Sequence, residues 1–440
     1  MNPVTKVSVV LRAGVGLRAA EPRSTTLRLQ NGQGDYHSIL YADPSQPADD
    51  VAIRGLNFDQ NSRSNPLRSE ADFGVDGRMA RFVINIPAGH RVLIDACSFF
   101  DSRSRNVVVV SGPAGSVSDA VIRRSQFTGI GGGTWDFDHS SVYATGVRMS
   151  IVENTFAAAS IGANGAHTAV ETHGSDFLVA DNVIRGYLKG INITGIAPDS
   201  DRQVVRANRI SDVAIGMYIW SRRTAGTQRQ AALRNLSITD NQISINTDIC
   251  RRPQFHASLF CAGIALEPAS DSPVDALVIT HNYIAFSGVS PPGAERADAR
   301  EAGISLWQPS RRTMSVRALR IEANTIIDPP STSIAINVRV LPGAWRSSVI
   351  NGNEMIFRGD SETAGPISEA DESAVEIAGA GVERLELTGN RIVDRRQPAL
   401  LDHGISAPGN CRELCIVGQN SVSPASLSAY ELGRGWDIVS

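Results

Sequence analysis

The sequence predicts an all-β solenoid, and two observations carry this prediction. A pattern of six residues, apolar-x-x-Asn-x-apolar, occurs eight times along the 440-residue chain. Its asparagines are Asn154, Asn182, Asn208, Asn241, Asn282, Asn324, Asn353 and Asn390. Their spacings of 28, 26, 33, 41, 42, 29 and 37 residues are typical of a chain that winds into stacked coils. The residues before each asparagine alternate between apolar and polar, which predicts a strand with one buried face.

Each asparagine is expected to occupy a sharp bend between two strands. Asparagine tolerates the left-handed backbone conformation better than other non-glycine residues. Its side-chain amide can also bond to the next coil, so stacked asparagines form a ladder. Copies of the pattern with another residue in place of asparagine begin at Ile53, Ile94 and Ile122, and a late copy contains Asn420.

With this repeat, the chain resembles the right-handed parallel β-helices of the pectate-lyase-like superfold. That superfold includes polysaccharide lyases, galacturonan hydrolases and phage tailspikes. The resemblance implies a β-helix of about 11 to 13 coils over residues 1–424, with 425–440 as a C-terminal capping segment. An N-terminal cap is expected to be missing or minimal, because strand-like sequence starts at Val7. One superfold hosts many activities, so function must be argued from the site.

Composition and cysteine placement limit the possible functions. The net charge of −3 and pI near 6.3 argue against a general nucleic-acid binder, and no apolar run reaches transmembrane length. Cys250 and Cys261 bracket one loop, and Cys411 and Cys415 bracket the last turn. Both pairs suit disulfides of an extracellular protein, with free thiols as the alternative. Cys97 falls in the asparagine column and is expected to be buried.

A second strand precedes each asparagine strand and predicts an outward face. Its second and fourth residues point to solvent, because side chains alternate along a strand. The second positions form a column of Tyr143, Glu171, Asn192, Tyr218, Ala265, Ser305, Asn337 and Glu376. The fourth positions form a column of Thr145, His173, Thr194, Trp220, Glu267, Trp307, Arg339 and Ala378.

This face has the residue types that bind an extended glycan. Trp220 and Trp307 are predicted to lie two coils, or about 10 Å, apart, with Glu267 between them. Flat rings cover the apolar faces of sugars, while Tyr218, Asn192 and Arg339 can bond polar groups. Arg222, in a neighbouring loop, favours an acidic polysaccharide. The alternative is that loops or a partner subunit cover the tryptophans.

Ionisable residues concentrate toward the N-terminal part of this face. Asp136, Asp138, Tyr143, Glu171 and His173 are predicted to lie within two coils. A hydrolase would pair Glu171 with Asp136 or Asp138, because the two carboxylates must be roughly 5–9.5 Å apart. Glu267 is a further carboxylate candidate, but it is about 14 Å from Glu171 along the stacked coils.

Two other interpretations of this cluster stay open beside a purely structural one. A lyase would use His173, Tyr143 or Tyr218 as a base, next to a uronic carboxylate neutralised by arginine or calcium. A metal site would use His139, His167, His173 and Glu171, although no tight spacing motif supports it. No cofactor is required, with calcium as the one option.

The segment H-T-A-V-E-T-H-G, residues 167–174, followed by K-G-I-N-I-T, 189–194, is similar to phage tail β-helices. This resemblance implies a homotrimer on the virion surface, or otherwise outside the cell, that binds and cleaves host polysaccharide. The alternative is a non-catalytic tail or surface protein that recognises glycans or has a structural role.

Overall fold

The computed structural model describes residues 7–33, 36–65, 82–102, 106–131, 140–159, 167–195, 200–221, 233–250, 260–267, 270–288, 300–308, 314–343, 348–358, 373–378, 381–396, 399, 401–425 and 428–439. The chain divides into two compact units. The first comprises Met1–Ile193 with Asn208–Ile210, and the second comprises Thr194–Ala207 with Ser211–Ser440.

Apart from one short helix, Thr247–Cys250, the regular elements in the described part of the chain are strands. Those that begin before residue 200 are Val7–Leu11, Gly16–Arg18, Thr25–Arg28, Ser38–Ala42, Ala52–Arg54, Leu56–Asp59, Phe82–Ile86, Gly89–His90, Leu93–Asp95, Ser98–Phe100, Asn106–Val110, Val117–Ser118, Val121–Arg123, Gln126–Ile130, Ser140–Val152, Thr155–Ala158, Thr168–Ala180, Val183–Arg185 and Lys189–Thr194. Those from residue 200 onward are Ser200–Asp201, Val204–Arg206, Arg209–Val213, Ile215–Trp220, Leu233–Thr239, Gln242–Asn246, Ala262–Leu266, Val274–Thr280, Tyr283–Ser287, Ala302–Trp307, Ser315–Arg317, Arg320–Glu322, Thr325–Ile327, Thr332–Asn337, Arg339–Leu341, Ser348–Asn351, Glu354–Phe357, Ser373–Ile377, Val382–Thr388, Arg391–Asp394, His403–Ala407, Cys411–Gly418, Ser421–Ser423, Ser428–Leu432 and Trp436–Val439.

Each unit is a right-handed parallel β-helix, as predicted. One coil of the second unit consists of Ile215–Trp220, Leu233–Thr239 and Gln242–Asn246. Each of these strands pairs in parallel with its equivalent in the next coil, for example Ile238 with Ile279 and Ile243 with Ile284. Parallel pairing in all three strand positions means that the chain advances one layer per turn.

The asparagine amides form a hydrogen-bonded ladder within each unit. Oδ1 of Asn353 accepts bonds from the backbone N–H and Nδ2 of Asn324, at 3.0 and 2.9 Å. Nδ2 of Asn353 donates to the Ile321 carbonyl and to Oδ1 of Asn390, each at 2.9 Å. Bonds of this kind link Asn154, Asn182 and Asn208 in the first unit, and Asn241, Asn282, Asn324, Asn353, Asn390 and Asn420 in the second. The ladder therefore confirms the repeat.

The left-handed residue of each bend is the one before the asparagine. Positive φ values of 52° to 65° occur at Glu153, Asp181, Ala207, Asp240, His281, Ala323, Gly352 and Gly389. The expectation that asparagine itself takes this conformation was wrong. The asparagine side chain must stay buried to reach the next coil, so its neighbour makes the turn, whatever its identity.

The interior is built from columns of equivalent residues. In the first unit Phe58, Phe99, Phe127 and Phe156 stack with ring centroids 4.6–5.1 Å apart, all fully buried. In the second unit the second residue of each outward strand is small, namely Gly216, Gly263, Gly303, Ser333, Ala374 and Gly404. A Cβ on Gly263 would lie 2.5 Å from Cγ2 of Ile284 and 2.6 Å from the Gly303 carbonyl oxygen, so only glycine fits at this corner.

Cysteines occur both in disulfides and as a free thiol in the buried interior. Cys411 is bonded to Cys415, Cys261 is also disulfide-bonded, and Cys97 is a buried free thiol. Burial raises the pKa of Cys97 to about 11. Strands Ser428–Leu432 and Trp436–Val439 pair with the coil before them, so the C-terminal segment adds a further layer. Within the described residues, no helix has the length and apolar character needed to cross a membrane.

Candidate functional site

The first unit holds a polar cluster on its outward strands, here called the Glu171 cluster and comprising Ser140, Tyr143, Glu171, His173 and Asn192. Strands Ser140–Val152 and Thr168–Ala180 pair with Tyr143 opposite Glu171, and with Thr145 opposite His173. This is the register that the sequence predicts. The next strand follows it, because the Lys189 N–H donates to the His167 carbonyl at 2.7 Å, which places Asn192 beside Glu171.

Glu171 and His173 form a buried pair at the centre of this cluster. Oε1 of Glu171 lies 2.9 Å from Nε2 of His173. The hydroxyl of Ser140 donates to the other carboxylate oxygen, Oε2, at 2.6 Å. Ser140 is itself positioned by its backbone N–H, which donates to Oδ1 of Asn106 at 2.9 Å. Glu171 is 2% exposed and His173 7%, so the pair is shielded from bulk water.

Two opposing effects determine the ionisation of Glu171. Burial raises the pKa of its carboxyl, but the hydrogen bond and charge of His173, the Ser140 hydroxyl and the charge of Lys189 lower it. The net result is a pKa below the usual range. Glu171 is therefore an anion at neutral pH, which suits a residue that orients a histidine and does not suit a proton donor.

Tyr143 and Asn192 lie on either side of this pair. The ring of Tyr143 is tilted against the imidazole of His173, with centroids 4.8 Å apart. Asn192 is 4% exposed, and within the described part of the chain its Oδ1 has no hydrogen-bond partner. An unsatisfied buried acceptor costs about 1–3 kcal/mol, so a donor that reached Asn192 would bind favourably.

The second unit carries an outward column of Trp220, Glu267 and Trp307, here called the tryptophan face. Ile219 pairs with Leu266, and Ile264 pairs with Ile304, which brings Glu267 between the two tryptophans. All three side chains are partly exposed. Two coils separate the rings by about 10 Å, so their predicted arrangement is present.

Tyr218 and Arg300 lie beside the tryptophan face, Tyr218 on the same strand as Trp220 and Arg300 against the Trp307 ring. Tyr218 is 8% exposed, and its ring centroid is 6.5 Å from that of Phe260. The Nε atom of Arg300 lies 2.8 Å from Oε2 of Glu376. Its guanidinium carbon lies 5.7 Å from the centroid of the Trp307 ring. Cation–π contact and ion pairing thus hold Arg300 along this surface.

At one coil of the second unit, the predicted columns contain two residues in the wrong positions. Ser305 pairs with Ala335 and Trp307 with Asn337, so Asn337 belongs to the fourth-position column with Trp307 and was predicted two residues out of register, in the second-position column. Arg339 was assigned to the tryptophan column, but it begins a separate strand, pairs with Ser315 and lies 3.5 Å from Glu383. The error arises because apolar–polar alternation continues from Ile334 to Val340 through the corner between two strands.

Four residues of the predicted sites, Asp136, Asp138, His139 and Arg222, lie outside the described residues. Among the residues that are described, no three histidine, cysteine, aspartate or glutamate side chains gather as a metal site. Sequence reasoning missed four residues that shape the two clusters, which are Ser140, Lys189, Phe260 and Arg300. Ser140 and Lys189 begin outward strands, and their spacing of 28 and 21 residues from Thr168 was the one available signal. Phe260 and Arg300 lie just before the strands Ala262–Leu266 and Ala302–Trp307, and no sequence pattern indicated them.

No protein-family model and no curated protein matches the sequence. Among solved structures, the chain is similar to the tailspike of Escherichia coli bacteriophage HK620. A mutant of that tailspike in complex with a pentasaccharide has a TM-score of 0.63 at 14% identity, over 98% of this chain and 70% of the tailspike chain. The tailspike in complex with the same type of ligand gives a TM-score of 0.58 at 13% identity, over 98% and 69%. Another mutant, in complex with a hexasaccharide, gives 0.56 at 12%, over 98% and 73%. The chain therefore has the parallel β-helix fold seen in a phage tailspike.

Proposed function

We propose that the protein is a tailspike-like β-helix that binds an extended polysaccharide on the tryptophan face and cleaves it, as a hydrolase or a lyase. The observation that carries the proposal is the register of Trp220, Glu267 and Trp307 in one outward column. Two rings about 10 Å apart match successive sugars of an extended chain, and a carboxylate between them accepts sugar hydroxyls.

Two further points support binding to a glycan. The similar tailspike structures contain a pentasaccharide or a hexasaccharide. In this chain, Arg300 and Glu376 place charged groups beside Trp307, where they can bond polar substituents of a sugar.

By the same similarity, we propose that the protein is a homotrimer on a virion surface.

Cleavage is proposed on separate grounds, which are the buried Glu171–His173 pair and the adjoining Tyr143. A buried carboxylate–imidazole pair beside a second ionisable group is a typical arrangement for proton transfer.

A glycan panel tests the proposal. Purified protein would be measured for binding to neutral and acidic polysaccharides, and each bound polysaccharide would be assayed for new reducing ends and for unsaturated products. Trp307→Ala should weaken binding at least tenfold, because truncating a stacking aromatic costs more than about 1.4 kcal/mol. Tyr283→Ala is the matched control, since Tyr283 is 45% exposed on a different strand position of the same unit. Equal losses in both variants, or no loss in either, would rule out the tryptophan face as the binding surface.

A further inference from the structure

An ion pair between Arg300 and Glu376 lies against one ring of the tryptophan face. We infer, on the basis of the proposed glycan-binding function, that Arg300 is a positioning residue. Held by Glu376, it fixes the ring of Trp307 in the orientation that stacks on a sugar. Two distances support this inference. Nε of Arg300 lies 2.8 Å from Oε2 of Glu376, and the guanidinium carbon lies 5.7 Å from the centroid of the Trp307 ring.

The backbone beside Arg300 is tied to the coil before it and the coil after it. Glu301, the next residue, accepts a hydrogen bond at Oε1 from the Cys261 N–H, at 3.2 Å. Its carbonyl accepts a hydrogen bond from the Ser331 hydroxyl, at 2.6 Å. Cys261 and Ser331 precede the outward strands of the two neighbouring coils. The side chain of Arg300 therefore extends from a fixed point of the sheet.

Small residues leave room for the side chain of Arg300 on this sheet. Ser305, Ala335 and Glu376 follow one another in an outward column, because Ser305 pairs with Ala335 and Ala335 with Glu376. Arg300 precedes the strand that holds Ser305, so its contact with Glu376 spans the coil of Ala335. Ser305 and Ala335 are buried although they point outward, as residues beneath a covering side chain are. A larger side chain at Ala335 would obstruct the contact.

The ion pair is shielded enough to hold the guanidinium in place. The Arg300 side chain is 14% exposed and that of Glu376 is 21% exposed, so solvent screens their attraction less than that of a surface pair. The contact joins two charges and is not aligned as a hydrogen bond. It is made by Nε, the first nitrogen of the arginine side chain, and a lysine side chain is long enough to bring its ammonium to the same place. Arg300→Lys should therefore keep the pair.

The guanidinium restricts the orientation of the Trp307 ring. A cation within about 6 Å of a ring centroid is attracted by the quadrupole of the ring. Trp307 remains partly exposed, so the rest of its surface can receive a sugar. A side chain that is ordered before binding loses less conformational entropy when the glycan arrives, which raises affinity by about two- to tenfold. Arg300 thus supports binding by ordering Trp307 in advance.

The first test measures Trp307 directly and needs no glycan. Hydroxyl-radical footprinting, read out by peptide mass spectrometry, gives the oxidation rate of each tryptophan in the whole protein. Arg300→Ala should raise the rate at Trp307 and leave the rate at Trp220 unchanged, because the guanidinium no longer lies over the first ring. Arg317→Ala is the matched control, since Arg317 forms an ion pair with Asp275 in the same unit, at 3.5 Å. It should change neither rate. An unchanged rate at Trp307 in Arg300→Ala would overturn the inference.

The second test measures affinity for a panel of dextran, hyaluronan, polygalacturonate and alginate, and uses the polysaccharide that wild-type protein binds most tightly. Arg300→Ala should weaken binding about two- to tenfold, whereas Arg317→Ala should not. Arg300→Lys should restore most of the loss, because an ammonium keeps both the ion pair and the cation–π contact. A lysine variant as weak as the alanine variant would contradict a role that depends on charge.

The partner carboxylate gives an independent variant. Glu376→Gln keeps the shape of the side chain and removes its charge, so it serves as the test if thermal unfolding shows that Arg300→Ala does not fold. It should weaken binding by about the same factor as Arg300→Ala. In the Arg300→Ala background it should have no further effect, because Glu376 acts through Arg300. Additive losses from the two substitutions would overturn this part of the inference.

Combination with Trp307→Ala shows whether Arg300 acts through the ring. Arg300→Ala should cost much less affinity in the Trp307→Ala background than in wild type, because the ring that it positions is absent. An equal loss in both backgrounds would mean that Arg300 acts on the sugar directly. That result would overturn the positioning role and leave the glycan-binding proposal standing. If wild-type protein binds no polysaccharide of the panel, the proposed function fails, and the inference fails with it.

Discussion

Glu171 and His173 lie two residues apart on one strand and meet through a contact of 2.9 Å between Oε1 and Nε2. Positions i and i+2 of a strand share a face, so the pair needs no long-range fold to bring it together. What the fold adds is Ser140 from the strand before, whose hydroxyl reaches the second carboxylate oxygen. It also adds burial, which strengthens each of these interactions.

Removing Ser140 should weaken this arrangement without destroying it. In Ser140→Ala, the buried Oε2 of Glu171 loses its donor, and we expect a loss of about 1–3 kcal/mol in the free energy of unfolding. Urea denaturation of wild type and variant measures this difference. Ser421→Ala, at an exposed position of a strand, is the control and should stay within about 0.5 kcal/mol of wild type. A Ser140→Ala variant as stable as this control would contradict the hydrogen bond.

Acidification should weaken the ion pair between Arg148 and Asp119. Arg148 lies 2.6 Å from Asp119, and its hydrogen bond, followed by that of Ser118, lowers the pKa of the carboxyl from 3.8 to about 2. A depressed pKa stabilises the folded state above 3.8, and this contribution disappears as the pH falls through about 2. Thermal unfolding of Arg148→Ala should therefore differ from wild type at neutral pH and converge with it in strong acid. The difference should also shrink in high salt, because both groups are partly exposed. A difference that grows on acidification would contradict the assignment.

Replacing a ladder asparagine should lower the free energy of unfolding most when the asparagine lies in the middle of the ladder. Asn353→Ala removes the acceptor for two bonds from Asn324 and the donor to Ile321 and Asn390. All of these groups are buried, so we expect a loss of about 3 kcal/mol or more in the free energy of unfolding. Asn420 is partly exposed in the last rung, and Asn420→Ala should cost about 1 kcal/mol. Equal costs in urea denaturation would show that ladder position does not matter.

One buried amide should be removable with a gain in stability. Gln60 is 2% exposed, and neither of its side-chain polar atoms has a hydrogen-bond partner in the described residues. Its register partner in the coil before is Leu29, because Arg28 pairs with Asp59. Gln60→Leu should therefore raise the free energy of unfolding by about 1 kcal/mol or more. A destabilised variant would show that the amide is satisfied in solution, for example by a buried water.

The fold could be predicted from the sequence because each repeat keeps an asparagine at the one buried position whose side-chain amide bonds to neighbouring coils. Each ladder asparagine must contact both the coil before it and the coil after it. This requirement keeps asparagine at the same position of the repeat from Asn154 to Asn390. The bend residue before it has no such contact, so its identity varies and the sequence did not reveal its conformation.

The candidate site was predicted less completely. Tyr143, Glu171 and His173 have the register that the sequence predicts, because each of their two strands continues through the site without interruption. Their predicted exposure to solvent was wrong for Glu171 and His173, which are 2% and 7% exposed. Arg339 was misplaced, because alternation alone does not mark where one strand ends and the next begins. Arg300 and Phe260 approach the face from segments outside the repeat, and no periodic signal describes such contacts.

The proposed function requires that a glycan lies on the tryptophan face. Hydroxyl-radical footprinting of wild-type protein, with and without an oligosaccharide it binds, measures this directly. Trp220 and Trp307 are partly exposed in the free protein, so both react and both report coverage. We predict that the oligosaccharide protects Trp220 and Trp307 and leaves Tyr283 unchanged. Unchanged oxidation of both tryptophans under saturating oligosaccharide would contradict the account.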